Sequence, residues 1–322
     1  MVDRMTQSSA SASLSTTVSL STALLLLAAI SAFAANSILC RLALAGGHID
    51  ALTFASVRLL SGAVVLTLIL IARDPQPIIA IDPLATLALI VYALAFSVSY
   101  LGLEAGVGAL LLFGAVQITM LSVGLYRRER LSRRGWFGFM LAVSGLIAYL
   151  QPGNNAAPLP AVGAMLLAGC AWGLYSLRGA RGQDPVAATA SNFLAAAPLT
   201  VALAVIFSDG WHITSKGLVL AALSGAVTSG LGYVLWYHVV KRIPAFTAAT
   251  VQLAVPIFAA VGGGVILAEP LTMRLAFASL TVLGGIALVV KGRQSVAAVG
   301  STDSIRNSGR AAHEQWVNGA GI

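Results

Sequence analysis

Arg58 is the one formal charge standing well inside a long uncharged stretch of this 322-residue chain. An arginine at the centre of an apolar helix costs roughly 2.5 to 3.5 kcal/mol on insertion scales, so its position calls for a partner, a cavity or a way out. A guanidinium fork matches a carboxylate. Two readings follow: a cationic anchor for an anionic or zwitterionic solute, or a side chain that snorkels to the surface or pairs with a helix C-terminus. Asn36, Gln117, Asn192 and Gln252 are uncharged hydrogen-bonding groups in comparable apolar stretches. They suit a pocket or bonds between helices. Trp172 and Tyr175 share a helical face through their spacing, as do Tyr233, Trp236 and Tyr237. Rings so placed line a cavity and stack on a solute, or pack against neighbouring helices.

Covalent chemistry has little to work with. His313 and Glu314 stand in HEQWV, which lacks the second histidine of a zinc-protease helix, and no G-x-S-x-G occurs. The four histidines, at 48, 212, 238 and 313, are too scattered to suggest a metal site, and no cofactor is expected. Cys40 and Cys170 lie in apolar runs and read as small core residues without a disulfide. An intramembrane enzyme or sensor is therefore the weaker alternative, and a channel is the other.

The elements that must position these residues follow from composition. The chain is 58% hydrophobic and 9% charged, whereas soluble domains are about one quarter charged. So few charges cannot coat a globule of this size in water, and a bilayer would need none. An all-helical integral membrane protein is predicted. The uncharged stretches 19–40, 83–103, 105–126, 185–208, 217–240 and 243–268 are each close to one span of about 20 residues. Residues 275–290 are slightly short unless the turn before them, with a snorkelling Arg274, is included, and 51–72 is interrupted only by Arg58. Residues 135–177 must supply two spans, broken by QPGNNAAPLP at 151–160. Ten transmembrane helices result.

Placing the N-terminus in the cytoplasm puts fifteen of the 19 lysines and arginines on that side and leaves Arg41, Lys216 and Arg274 outside. This is the positive-inside pattern, which explains the net charge of +8 without nucleic acid. The expected location is the inner (plasma) membrane, with both termini cytoplasmic. Ala32 to Ala34 resembles a signal-peptide cleavage site, but the apolar run continues to residue 44, longer than a signal core. Residues 1–18 and 293–322 are polar and are expected to be disordered cytoplasmic tails.

The chain also repeats itself. ERLSRRGWFGFMLAVSGLIAYL from Glu129 and EPLTMRLAFASLTVLGGIALVV from Glu269 match in Glu, Leu, a hydroxyl residue, Arg, Phe and Gly at an offset of 140. Val116 and Gln117 answer Val251 and Gln252, and Asp50 answers Asp184, a register that sets Arg58 against Asn192. The repeats are 19–151 and 158–292. With five spans each, the second enters from the opposite side, the inverted plan of many secondary transporters.

With ERLS, EPLT and the proline-bearing VQLAVPIFAAVGGGVILAEPLT at 251–272, the chain resembles the drug/metabolite transporter superfamily and its ten-helix EamA-type members. The resemblance implies two inverted five-helix bundles and export or exchange of small metabolites such as amino acids, with solute and bilayer as partners; it does not indicate the oligomeric state. Its small multidrug members depend on a glutamate in the first helix, which this chain lacks, so anionic or zwitterionic solutes are expected before lipophilic cations. Glu129 and Glu269 each precede a span and are read as helix caps or gating groups. Pro256 and Gly263 are read as a kink and hinge in the ninth span.

Overall fold

The computed structural model describes residues 20–74, 79–127, 131–150, 157–179, 184–208, 212–243 and 245–292. Both expected tails, and Glu129, lie outside them.

The described residues are helical, and their one β feature is an isolated antiparallel bridge between Ile49 and Ile213. In chain order the helices are α1 (Leu20–Ala45), α2 (Ala51–Arg73), α3 (Pro83–Ser99), α4 (Ala105–Tyr126), α5 (Arg133–Tyr149), α6 (Leu159–Gly179) and α7 (Pro185–Phe207). They continue with α8 (Ser215–Val240), α9 (Ala245–Gln252), α10 (Val255–Leu267) and α11 (Met273–Gly292). Eight stretches are long and apolar enough to cross a membrane, and α3 is apolar but shorter. α5 adds a helix of 17 residues.

Local chemistry explains where these helices start. Asp50 accepts from the Thr53 amide at the head of α2, Asp82 from Leu84 and Ala85 at α3, and Asp184 from Val186 and Ala187 at α7. Each such cap is worth about 1 kcal/mol, and Pro83 and Pro185 sit in the first turn, where a missing N–H costs nothing. Arg178 bonds to Asp82 at 2.7 Å and holds that carboxyl below its ordinary range.

Two expectations, the end of α1 and the burial of Cys170, need correction. α1 runs on to Ala45, so Arg41 belongs to its final turns and does not follow it. Arg274, at the start of α11, donates to the Tyr149 carbonyl at the end of α5 at 2.6 Å. Cys40 is buried, but Cys170 is exposed on the outer face of α6.

In packing, α2 lies on α7, α3 on α6 and α1 on α8; α4 contacts α6, and α10 contacts both α1 and α4. Phe54, Leu59, Leu66, Leu89, Phe96 and Phe193 are wholly buried between these helices. The other faces are apolar too: Leu60, Val64, Leu68 and Ile71 form an exposed stripe on α2. Such a surface is stable against lipid tails, not water.

The middle of α8, Ser224–Leu231, is wound as a π-helix. It presses on α2 so closely that a Cβ at Gly225 would collide with the Arg58 carbonyl and the Ser61 hydroxyl. Gly225→Ala is therefore expected to cost about 1 to 3 kcal/mol through overpacking and to lower the melting temperature of the purified protein. Gly284→Ala, whose new Cβ meets nothing within 4 Å, should leave it unchanged; equal melting of the two variants would mean that the α2–α8 contact yields.

Candidate functional site

A cavity of about 760 Å³ lies between the helices. Its deep end is formed by Asn36 of α1 and Thr228 of α8, both near mid-helix, and by Phe96 in the last turn of α3. From there the lining descends to the last turns of α6 and α8 and the first turns of α7 and α9, ending at Ser176, Pro185, Val240 and Ala248. The cavity thus extends toward the end of the molecule that carries the α2–α3 loop.

Aromatic rings dominate its walls. Trp172 stacks on Tyr175 at 5.2 Å and on Tyr233 at 5.3 Å, with planes inclined by 27° in both pairs. Tyr92 lies 4.8 Å from the Trp172 ring centre, and Phe33, Phe96, Trp236 and Tyr237 extend the surface. The i, i+3 and i, i+4 spacings on α6 and α8 bring these rings to one face each. The described lining includes no charged residue, and its polar groups are amides and hydroxyls such as Asn36, Ser37, Gln117, Thr228, Ser229 and Gln252.

Eight residues singled out from the sequence, Asn36, Gln117, Trp172, Tyr175, Tyr233, Trp236, Tyr237 and Gln252, meet at this cavity. The Asn36 amide oxygen accepts from Ser224 Oγ at 2.7 Å and from Thr228 Oγ1 at 3.2 Å, which ties α1 to the π-helical turn. Asn192 is placed elsewhere. It is buried between α7 and the start of α3, accepting from the Thr86 hydroxyl and the Asp82 amide, and it does not line the cavity.

Arg58 fits neither of its sequence readings directly. It is fully buried and not among the lining residues, so it neither snorkels nor meets the cavity itself. Its guanidinium lies 4.9 Å from both the Tyr92 and the Phe96 ring centres. Nη2 donates to Tyr92 Oη at 2.8 Å and Nε to Ser229 Oγ at 3.2 Å. Nη1 has no hydrogen-bond partner among the described residues, and no carboxylate among them pairs with this cation. Cation–π contact and charge-assisted bonds offset part of its burial. Tyr92 and Ser229 thus join the site through the tertiary structure. The one hint of Ser229 in the sequence is the cluster of small and hydroxyl residues SGAVTSG at 224–230.

A second polar cluster lies at the opposite end. Glu269, expected to serve the helix that follows it, instead caps α4: the Ala105 amide donates to its Oε2 at 2.8 Å. Thr272 caps α11 through the Leu275 amide, and Ser132 caps α5 through Gly135, the position for which Glu129 was considered. Arg41 bonds to Glu269 Oε1 at 3.1 Å and donates to the carbonyls of Tyr100 and Leu101 at the end of α3. Carboxylate and guanidinium each meet the helix end that favours their charge. Glu104 lies close by, and burial together with the Glu269 charge pushes its carboxyl upward. Gly263 makes room for this cluster, since a Cβ there would lie 2.5 Å from Glu269 Oε2 and 3.2 Å from the Ala105 Cβ. Pro256 stands in the first turn of α10, just after the break at Leu253 and Ala254 that separates α9 from it.

A multi-pass helical membrane protein with a neutral-walled cavity between its helices has the form of a solute carrier. Residues 159–291 of the chain match the EamA-like transporter family. The chain is 48% identical over 271 residues to an uncharacterized protein of Pseudomonas aeruginosa, covering 84% of this chain and 94% of that one. An uncharacterized transporter of Archaeoglobus fulgidus is 25% identical over 63% of this chain and 74% of its own length. The threonine/homoserine exporter RhtA of Salmonella typhimurium is 32% identical over 160 residues, 47% of this chain and 52% of its own. A solved crystal structure shares the fold with a TM-score of 0.61 at 19% identity, covering 85% of this chain and 97% of that one.

Proposed function

We propose that this protein is a secondary transporter that exports or exchanges a small anionic or zwitterionic metabolite, of the amino-acid type, by alternating access. The observation that supports this reading is a large cavity that extends from one end to mid-helix, with the separate Arg41–Glu269 cluster at the other end. Such a form fits one of two alternating states; a continuous pore would favour a channel. The similarity to a named amino-acid exporter over part of the chain supports the same class of solute. Asn36, Gln117, Trp172, Tyr175, Tyr233 and Gln252 form the solute surface in this reading. Arg58 supplies positive potential from behind it, and Asn192 takes a supporting place in the wall structure.

The ten-span, inverted-repeat plan belongs to this proposal. Its support is the paired packing. Exchanging the halves maps the α3–α6 contact onto that between α8 and α1, the α4–α6 contact onto that between α10 and α1, and leaves α2–α7 unchanged. With the N-terminus in the cytoplasm, the cavity faces inward and the Arg41–Glu269 cluster is the outer gate. Pro256 and the break before α10 then form a flexible joint of the second half, with Gly263 as the notch that seats the gate.

The test is solute flux in proteoliposomes of purified protein, with and without a proton gradient, alongside a C-terminal reporter expected to be active only in the cytoplasm. Saturable uptake that an unlabelled competitor inhibits is the expected result. Ohmic, non-saturating flux would replace the carrier reading with a channel.

A further inference from the structure

The geometry points to a carboxylate site made by Tyr92 and Ser229, with Arg58 as the positioning residue behind them and an apolar monocarboxylate as the ligand. This rests on the transporter reading and assigns the chemistry of the same cavity.

Arg58 uses one edge of its guanidinium, Nε and Nη2, to hold Ser229 Oγ and Tyr92 Oη at 3.2 and 2.8 Å. That edge is the fork which a carboxylate would normally occupy in bidentate fashion. Here two hydroxyl oxygens occupy it, and both belong to residues that line the cavity. An oxygen that accepts from a cationic N–H must turn its own O–H proton away from the guanidinium. No other hydrogen bond is formed by either hydroxyl among the described residues. The fork is therefore carried one layer forward, as two neighbouring O–H donors polarised by the same buried charge.

The charge balance selects the ligand. The guanidinium is buried without a carboxylate partner among the described residues, and its Nη1 is left unsatisfied. A buried unpaired cation is costly, and an anion on the two hydroxyls would lower that cost across one layer of hydrogen bonds. The described lining carries no Asp or Glu to receive an ammonium group. An amine is thus dispensable, and a free amine without a carboxylate is disfavoured by the positive potential. The remaining lining is dominated by the Trp172, Tyr175 and Tyr233 stack, so the body of the ligand is apolar and flat. The class is an aryl or similarly apolar monocarboxylate, with or without an α-amino group.

The experiment uses the purified full-length protein in detergent, with binding read by isothermal titration and folding by thermal melting. The probes are 3-phenylpropionate, L-phenylalanine, 3-phenylpropanamide and phenethylamine. The two carboxylates are expected to bind at least tenfold more tightly than the amide or the amine. Tyr92→Phe and Ser229→Ala should each remove most of that preference in protein that melts somewhat earlier than the parent but still cooperatively, and the double variant should remove all of it. Arg58→Lys, which restores the charge without the two-point fork, should recover part of the preference that Arg58→Gln loses. A carboxylate preference that survives the double variant would overturn the assignment, as would equal binding of the amide and the acid, or no binding of any probe by a correctly folded parent. Saturable flux of some other solute in proteoliposomes would leave the transporter reading standing in each of those cases, so the two failures are distinguishable.

Discussion

Arg58→Gln is expected to reduce solute transport by about a hundredfold or more at matched membrane expression, and Arg58→Lys to raise KM about tenfold with a smaller loss of maximal rate. Glutamine removes the charge and cannot span both Tyr92 and Ser229 while lying between two aromatic rings. Hydrogen bonds to a charged group are worth about 1.5 to 3 kcal/mol each, so losing both amounts to roughly 3 kcal/mol or more. Every 1.4 kcal/mol is about a factor of ten. Lysine keeps the charge but offers a compact, strongly hydrated ammonium in place of the planar fork. Initial rates across a concentration series, normalised to purified protein per liposome, separate these effects. If both variants transport like the parent, the guanidinium is only filling space between α2, α3 and α8, and the anionic-solute reading fails with it.

Breaking the Arg41–Glu269 cluster should be nearly as damaging. Glu269→Ala strips α4 of its cap and leaves Arg41 without its carboxylate, where the two side chains are only 12% and 20% exposed. A lost cap costs about 1 kcal/mol, and breaking a largely buried pair adds to this, since the remaining charge is left unpaired. A total on the order of 2 kcal/mol would lower the occupancy of the closed form more than tenfold relative to its alternative. Gly263→Leu should act in the same way by driving a side chain into the space that the carboxylate occupies. Gly264→Ala, with nothing nearer than 3.5 Å to its new Cβ, should not. Cys40 is a built-in reporter because it is fully buried beside Arg41. In a Cys170→Ser background, Glu269→Ala and Gly263→Leu are expected to speed its reaction with a membrane-impermeant thiol reagent at least tenfold, and to cut transport about tenfold. Unchanged labelling in both would show that the Arg41–Glu269 pair is structural glue and not a gate.

The amino-acid sequence by itself determined the class and the outline of the fold. A helix in hydrocarbon must satisfy its own backbone, so uncharged runs of span length convert almost residue for residue into helices. The run from Ala105 to Tyr126 and the start at Pro185 coincide with observed helix limits. Asp50 and Asp184, matched as repeat partners, both serve as N-caps, because capping depends on residues three positions apart. Much of the cavity lining was legible as well: polar and aromatic groups in an apolar span stand out, and Asn36, Gln117, Trp172, Tyr175, Tyr233 and Gln252 all meet there.

Only the tertiary structure decided what each polar group faces. Lipid and core are both apolar, so a membrane helix carries no strong stripe to reveal its rotation, and neighbours are chosen by packing. Arg58 finds its partners 34 and 171 residues away, at Tyr92 and Ser229. Asn192, its counterpart in the repeat, turns to the head of α3 instead. Glu269 caps a helix whose first residue is 164 positions distant, because the end of α10 packs on the start of α4 and the nearest unpaired amide is there. Helix boundaries follow from local hydrogen bonding, whereas the site follows from which helix faces are brought into contact.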